Sequence, residues 1–346
     1  MYKYLLKPIL FRFDPELVHN VFVSLGELLG RFLLTRTLTS AIYGYHGPEK
    51  KKIVDGITYR TPVLLSAGFD YNGRLSRILP SIGFGGEEIG SVTARPCAGN
   101  PKPRLTRLPK DRSLVVNKGL KNDGVEVIIA RLKATPRVPG FVLGISLART
   151  NDGKAADLEE GMKDYETSLR KLTEANIGDY YAINISCPNA FGGETFAVPD
   201  LAEQLLTRLD AVPCAKPIYV KMPINLAWPE FDALLKVIAR HRIKGVVIGN
   251  LNKHYDDLKF REEAPTKYAG GLSGAPTFSL SNELIRRTRA AYGNRFTIFG
   301  VGGIFSPQDA LEKMEAGADL VQLITGMIYE GPGLIKRLDA ALARKA

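Results

Sequence analysis

Eight short apolar runs, each followed by a stretch of helical periodicity, set the strongest constraint on what this chain can fold into. The runs occupy 62–67, 84–92, 141–146, 180–186, 217–222, 245–250, 296–300 and 319–325. Segments with apolar residues at three- and four-residue spacing fill the intervals, at 125–134, 165–175, 201–209, 231–240, 281–292, 307–317 and 334–343. Eight β-then-α units predict an α/β fold, a (β/α)8 TIM barrel, with its active site at the C-terminal ends of the strands. Asp55-Gly56, between two short β-prone stretches, predicts a hairpin ahead of the first barrel strand.

The predicted strand ends gather polar and small residues. Ala67 and Gly68 follow the first strand, Ser91 the second and Ser146 the third, and the segment 184–189 follows the fourth. Lys221 ends the fifth, Asn250 the sixth, Gly302 and Gly303 the seventh, and Thr325 and Gly326 the eighth. In barrels of this kind the loops after strands seven and eight commonly bind phosphate, because glycine lets backbone N–H groups approach the oxygens. GVGGI at 300–304 and ITG at 324–326 stand at those two places and point to a phosphorylated cofactor rather than to tight packing alone.

The sharpest chemical element is NISCPN at 184–189, which places the Cys187 thiol between two carboxamides on a loop stiffened by Pro188. A lone cysteine is often only a small buried hydrophobe, but this one has loop position and polar company. Cys97 and Cys214 have neither and receive no role. An inward lysine on a barrel strand needs negative charge to meet it, so Lys221 reads as a partner of an anionic ring.

Composition narrows the partners. The chain has 346 residues, 45% hydrophobic and 24% charged, which suits a globular protein with a large core and excludes a disordered or fibrous one. Three cysteines without a CxxC pair exclude a disulfide framework, and four histidines without ligand spacing lead us to expect no metal. The net charge of +11 favours an anionic partner. Eleven basic residues against three acidic ones fall between Arg95 and Arg137, either as a solvated face or as a field that draws an anion to a nearby site.

The N-terminal segment 1–45 predicts helices. Asp14 and Pro15 supply an N-cap and a first-turn proline, and an apolar stripe then runs from Leu17 to Leu33; a shorter helix at 3–11 precedes it. No apolar run approaches the roughly 18 residues of a spanning helix, and no signal-peptide cleavage site is present. Two readings of these helices stay open: a cap on the barrel, or an anchor lying in a membrane interface. The expected division is 1–45 as this helical segment and 46–346 as the catalytic barrel.

Taken together, AGFD at 67–70, GNPKPRLTRL at 99–108, INISCPN at 183–189, GGLSGAP at 270–276, GVGGI at 300–304 and GADLVQLITGMIYEGP at 317–332 resemble the dihydroorotate dehydrogenases. The N-terminal helices resemble those of the membrane-associated, quinone-dependent branch, where two helices admit quinone to the flavin. The resemblance implies FMN and the oxidation of (S)-dihydroorotate to orotate in de novo pyrimidine synthesis, with a quinone as acceptor. It also implies a cytoplasmic location, peripheral on the inner face of the cell membrane, through contact of the helices with the membrane surface. By the same resemblance FMN would contact Ala67, Gly68, Ser91, Ser146, Asn184, Lys221 and Gly249. The phosphate would lie against Gly274, Gly302, Gly303, Ile324, Thr325 and Gly326. Substrate would meet Asn117, Gly119, Leu120, Asn184, Asn189 and Asn250, with Tyr71 and Lys118 expected beside it on this chain's own departures, and Cys187 would remove the C5 proton while hydride leaves C6 for flavin N5.

The chain departs from the pattern in ways that matter for chemistry. Cys187 stands where the quinone-dependent branch has serine; cysteine belongs to the soluble branches that use fumarate or NAD. A thiol ionises more readily than a hydroxyl, which predicts activity at lower pH than a serine enzyme shows. Tyr71 replaces a lysine beside flavin and substrate, so Lys118 or Lys121 is expected to supply the missing cation, and Ser146 replaces a flavin-side asparagine. Rival readings are a soluble-type enzyme of the same family, another FMN barrel such as a tRNA-dihydrouridine synthase, and a non-catalytic flavin-binding protein. The lack of a helical RNA-binding domain after the barrel speaks against the RNA enzyme, and we expect no nucleic-acid partner.

Overall fold

The structure is a computed structural model that describes residues 2–47, 51–190, 193–260 and 270–344. A hairpin of β1 (Lys52–Val54) and β2 (Ile57–Tyr59) turns at Asp55 and Gly56, whose φ values of 49° and 81° are those of the predicted two-residue turn. The barrel follows as β3 (Val63–Leu65) and β4 (Gly86–Val92). Two strands outside the barrel, β5 (Leu105–Leu108) and β6 (Ser113–Val116), come next. Barrel strands resume with β7 (Val142–Leu147), β8 (Tyr180–Asn184), β9 (Ile218–Met222) and β10 (Gly245–Ile248). After β11 (Gly271–Gly274), which is again outside, β12 (Thr297–Val301) and β13 (Leu320–Leu323) complete the ring. All eight predicted barrel strands are present, parallel, and closed by pairing of β9 with β10 and of β13 with β3.

Helices α1 (Lys7–Leu10), α2 (Pro15–Arg31) and α3 (Leu33–Tyr43) precede the barrel. Around it run α4 (Leu79–Ile82), α5 (Val125–Ala134), α6 (Leu158–Glu174), α7 (Pro199–Asp210), α8 (Trp228–Ala239), α9 (Phe278–Tyr292), α10 (Pro307–Glu315), α11 (Thr325–Glu330) and α12 (Gly333–Arg344). Their apolar stripes cover the outward faces of the strands, as with Ile128, Leu169, Leu205 and Leu234 against Ile145, Ile183 and Val220. Inside the ring, Tyr180, Tyr219 and Phe299 meet edge to face or tilted, with centroids 4.8 to 5.4 Å apart. A Cβ on Gly144 would lie 2.0 Å from the Tyr180 ring, so glycine on β7 is what lets that ring fill the barrel. The hairpin plugs the bottom, where Asp55 accepts hydrogen bonds from the Tyr219 hydroxyl at 2.7 Å and the Thr297 hydroxyl at 2.8 Å.

Two features differ from the sequence reading. The apolar stripe predicted to run as one helix through Leu33 breaks at Phe32, which is extended (φ −103°, ψ 138°), and α3 turns away from α2 by 114°. The Thr35 hydroxyl takes up the freed carbonyls of Leu29 and Phe32, which stabilises the corner. The loops after the second and sixth barrel strands also form a three-stranded antiparallel sheet, β11-β6-β5, over the mouth. The motifs at 99–108 and 270–276 thus contain strands, β5 and β11, that hydrophobic periodicity does not reveal.

Candidate active site

Barrel register brings the reactive side chains together. Asn184 pairs with Lys221 across β8 and β9, and Lys221 with Val247 across β9 and β10, so a carboxamide and an ammonium stand side by side at the barrel mouth. The Asn184 amide donates to the Ser91 hydroxyl at 2.9 Å, and its oxygen accepts from the Ser186 backbone and hydroxyl. Asn250 donates to the Ser186 carbonyl and hydroxyl at 2.7 Å. Asn189 donates to the Val116 carbonyl at 2.7 Å, which ties the cysteine loop to the three-stranded sheet. Lys221 is buried and forms no ion pair or hydrogen bond with any described residue; burial lowers its pKa, against the fields of Glu88 and Cys187.

Cys187 sits on the wall of a cavity of about 460 Å³ with Ala67, Gly68, Tyr71, Ser91, Lys118, Gly119, Leu120, Asn184, Asn189, Lys221, Asn250, Ile324 and Thr325. Burial pushes the thiol up to about 11, although backbone hydrogen bonds at Asn189 and Ala190 and the charge of Lys221 pull the other way. A second cavity, of about 90 Å³, adjoins at Lys221 and Asn250 and is lined by Gly249, Gly274, Thr277, Gly302, Gly303, Ile324, Thr325 and Gly326. Its backbone leaves no room for side chains. A Cβ on Gly274 would meet the Arg112 carbonyl at 2.4 Å, one on Gly302 would meet the Thr277 hydroxyl at 2.3 Å, and both glycines have positive φ.

Two predicted contacts stand back from the cavities. Ser146 is fully buried behind Ser91, its hydroxyl 2.8 Å from that of Ser91. Asn117 is turned to Asn100, whose amide donates to Asn117 Oδ1 at 2.7 Å and to the Asn189 carbonyl at 2.9 Å. Asn100 itself accepts from the Asn151 amide, which also reaches the Gly119 carbonyl. Asn100 lies in the GNPKPRLTRL motif, where the sequence alone does not single it out. Nor does the sequence single out Ser273, whose hydroxyl lies 2.8 Å from that of Thr325. His19 of α2 was missed as well: it lines the cavity, contacts Tyr71 ring to ring and hydrogen-bonds the Phe69 carbonyl at 2.8 Å.

The cavity continues away from Cys187 between the helices, past Leu10, Phe11, Val18, Phe22, Leu25, Leu29 and Tyr43. One space therefore joins the polar mouth of the barrel to an apolar passage through the N-terminal segment. The basic segment at 95–137 is largely engaged within the fold: Arg95, Arg104, Arg112, Lys118, Arg131 and Arg137 pair with Asp152, Glu16, Glu330, Glu16, Asp123 and Asp179.

A family model described as dihydroorotate dehydrogenase matches residues 50–345. The chain belongs to the dihydroorotate dehydrogenase family. Among curated relatives it is 39% identical to the dihydroorotate dehydrogenase (quinone) of Synechococcus sp. (strain JA-3-3Ab), covering 99% of this chain and 92% of the relative. It is 38% identical to the enzyme of the same name from Salinispora arenicola, covering 99% and 98%. Among solved structures, the ligand-free DHODH of Eimeria tenella superposes with a TM-score of 0.81 at 26% identity, covering 95% of this chain and 94% of that one. Members of the family depend on FMN, and the residues here fit that group. The glycine-lined cavity, where a side chain would collide, suits a phosphate tail, and the buried ammonium of Lys221 suits the electron-rich edge of a flavin ring.

Proposed function

We propose that this enzyme oxidises dihydroorotate to orotate in pyrimidine biosynthesis and delivers the electrons to a quinone, with Cys187 as the base. The observation that carries the reading is the single cavity joining Cys187, Asn189 and Asn250 to the apolar passage between α2 and α3. Bound at the mouth, FMN supplies a two-electron acceptor for hydride and a donor to quinone. Lys221 and Asn184 would hold its ring, while Gly274, Gly302, Gly303 and Thr325 would hold its phosphate. Asn189 and Asn250 carry carboxamides, which can both donate to and accept from the alternating N–H and C=O groups of a pyrimidine. Cys187 Sγ takes the C5 proton and later releases it to solvent.

Quinones are apolar, and the passage offers them an apolar wall. The outer faces of α2 and α3 also carry exposed Leu17, Val21, Leu28, Phe32, Leu34, Leu38 and Ile42. No single described helix is long and apolar enough to cross a membrane. We read these faces as lying in a bilayer surface, which puts the passage entrance where quinone dissolves and places the enzyme peripherally on the cytoplasmic side. The direct test of the base is Cys187→Ala. The variant should still bind orotate, seen as a shift of the flavin absorbance, while anaerobic dihydroorotate leaves the flavin oxidised. Reduction at the wild-type rate would remove Cys187 from the mechanism.

A further inference from the structure

A charge cluster between α2 and the loop at 95–122 plays no part in the chemistry above. Glu16, in the first turn of α2, is only 4% exposed. Arg104 grips both its oxygens, with Nε at 3.1 and 3.0 Å and Nη2 at 2.7 Å. The same guanidinium donates to the Ala98 and Asn100 carbonyls at 2.8 and 2.9 Å, and the Arg104 carbonyl accepts from the Asn117 N–H at 2.8 Å. One helix carboxylate thereby fixes the loop that carries Asn100 and Asn117. Lys118 Nζ lies 2.9 Å from Glu16 Oε1 and 5.3 Å from the centre of the Tyr71 ring. It is buried, and apart from this ion pair its Nζ has no hydrogen-bond partner among the described residues.

Two cations against one anion leave a local charge of +1 on the cavity wall, because Lys118 and Tyr71 both line the main cavity. A buried unmatched charge is costly, and a ligand with one carboxylate brings the count to neutral. The geometry points to Glu16 as a positioning residue for the substrate: from the quinone-access helix it holds Lys118 ready for the dihydroorotate carboxylate. This inference rests on the dihydroorotate reading and deepens it. It makes the helical extension part of the substrate site, in the place left by the family lysine that Tyr71 replaces.

Lys118 is faced by Glu16 and His19 from α2, Arg104 ahead of β5, Tyr71 from the loop after β3, and Lys121 of its own loop. Burial lowers its pKa to about 8; Glu16 raises it, and Arg104 and Lys121 lower it. Without Glu16 the ammonium therefore gives up its proton at lower pH. The test is orotate titration of the FMN-loaded enzyme, read by the flavin absorbance, for wild type, Glu16→Gln, Lys118→Met and the double variant. Lys118→Met should weaken orotate binding about tenfold or more at neutral pH. Glu16→Gln should do so near pH 8 and much less near pH 6, where acid restores the ammonium, and the double variant should be no weaker than Lys118→Met alone. Glu16→Asp, which keeps the charge, covers a failure of Glu16→Gln to fold and should keep the wild-type pH dependence. Wild-type affinity for Glu16→Gln at both pH values, or effects of the two substitutions that multiply, would overturn the inference while leaving the enzyme's activity intact. A wild-type flavin that dihydroorotate does not reduce overturns both it and the reading beneath it.

Discussion

At the scale of single residues, Cys187 shows how position overrides intrinsic chemistry. A free thiol ionises far more readily than a serine hydroxyl, which by itself predicts activity at lower pH than a serine enzyme shows. Burial takes back much of that advantage by pushing the thiol up to about 11, and Lys221 recovers only part of it. The group's folded pKa lies above its ordinary value, so the fraction of thiolate, and with it the rate of proton removal in the proposed mechanism, grows as pH rises toward that range. We predict that kcat/KM for dihydroorotate climbs with pH across the alkaline range. In Cys187→Ser the climb should move upward by at least about one unit, with activity at neutral pH about 100-fold lower. A pH–rate profile in which the serine variant rises at the same place would contradict this. The cysteine, its flanking asparagines and Lys221 were legible because their types and strand-end places were unusual together. Asn100 and Glu16 were not: each gains meaning only from partners more than 80 residues away or across two loops, such as Asn189 and Arg104.

Among elements, the last helix carries a pH-sensitive contact far from the site. Asp339 of α12 is buried under the Thr61 hydroxyl, which donates to it at 2.5 Å. Burial raises its carboxyl to about 7, against the hydrogen bond from Thr61 and the charge of Arg60. Its folded pKa exceeds the unfolded one, so the native state binds the extra proton, and this contribution is present at low pH and lost as pH rises through about 7. Asp339→Asn removes the titration. Its thermal unfolding midpoint should stay level between about pH 5 and pH 8 while the wild type falls, the gap at the alkaline end being on the order of 1 to 3 kcal/mol. Differential scanning calorimetry across that range decides it, and parallel curves would refute the assignment. The same scale shows why the corner between α2 and α3 escaped the sequence. The apolar stripe runs unbroken through Phe32, and the turn is held by the hydroxyl of Thr35, an ordinary helix residue. That corner opens the apolar faces outward. Leu28→Asp with Leu34→Asp should lower binding to phospholipid vesicles several-fold in flotation assays while leaving turnover with a water-soluble short-chain quinone within about twofold. Unchanged flotation would return α2 and α3 to a simple cap.

For the whole molecule, the barrel was readable because eight buried parallel strands leave continuous apolar runs at regular intervals, and the hairpin because Asp55-Gly56 adopts a turn few other pairs allow. The three-stranded sheet over the mouth was hidden in segments whose strands are only four residues long and rich in charge or glycine, as in LTRL and GLSG. What the assembled molecule adds is continuity: the polar mouth built on strand ends and the apolar passage lined by the N-terminal helices share one cavity. The central claim is therefore that the two half-reactions meet at one FMN and that the second is fed from the helical side. The most direct measurement is anaerobic stopped flow on the FMN-loaded enzyme: dihydroorotate first, then a short-chain quinone or fumarate. The account predicts loss of the oxidised-flavin absorbance on adding dihydroorotate and its fast return with quinone, with fumarate at least about 100-fold slower. Fast return with fumarate and none with quinone would contradict it, and would leave the apolar passage without a role in electron transfer.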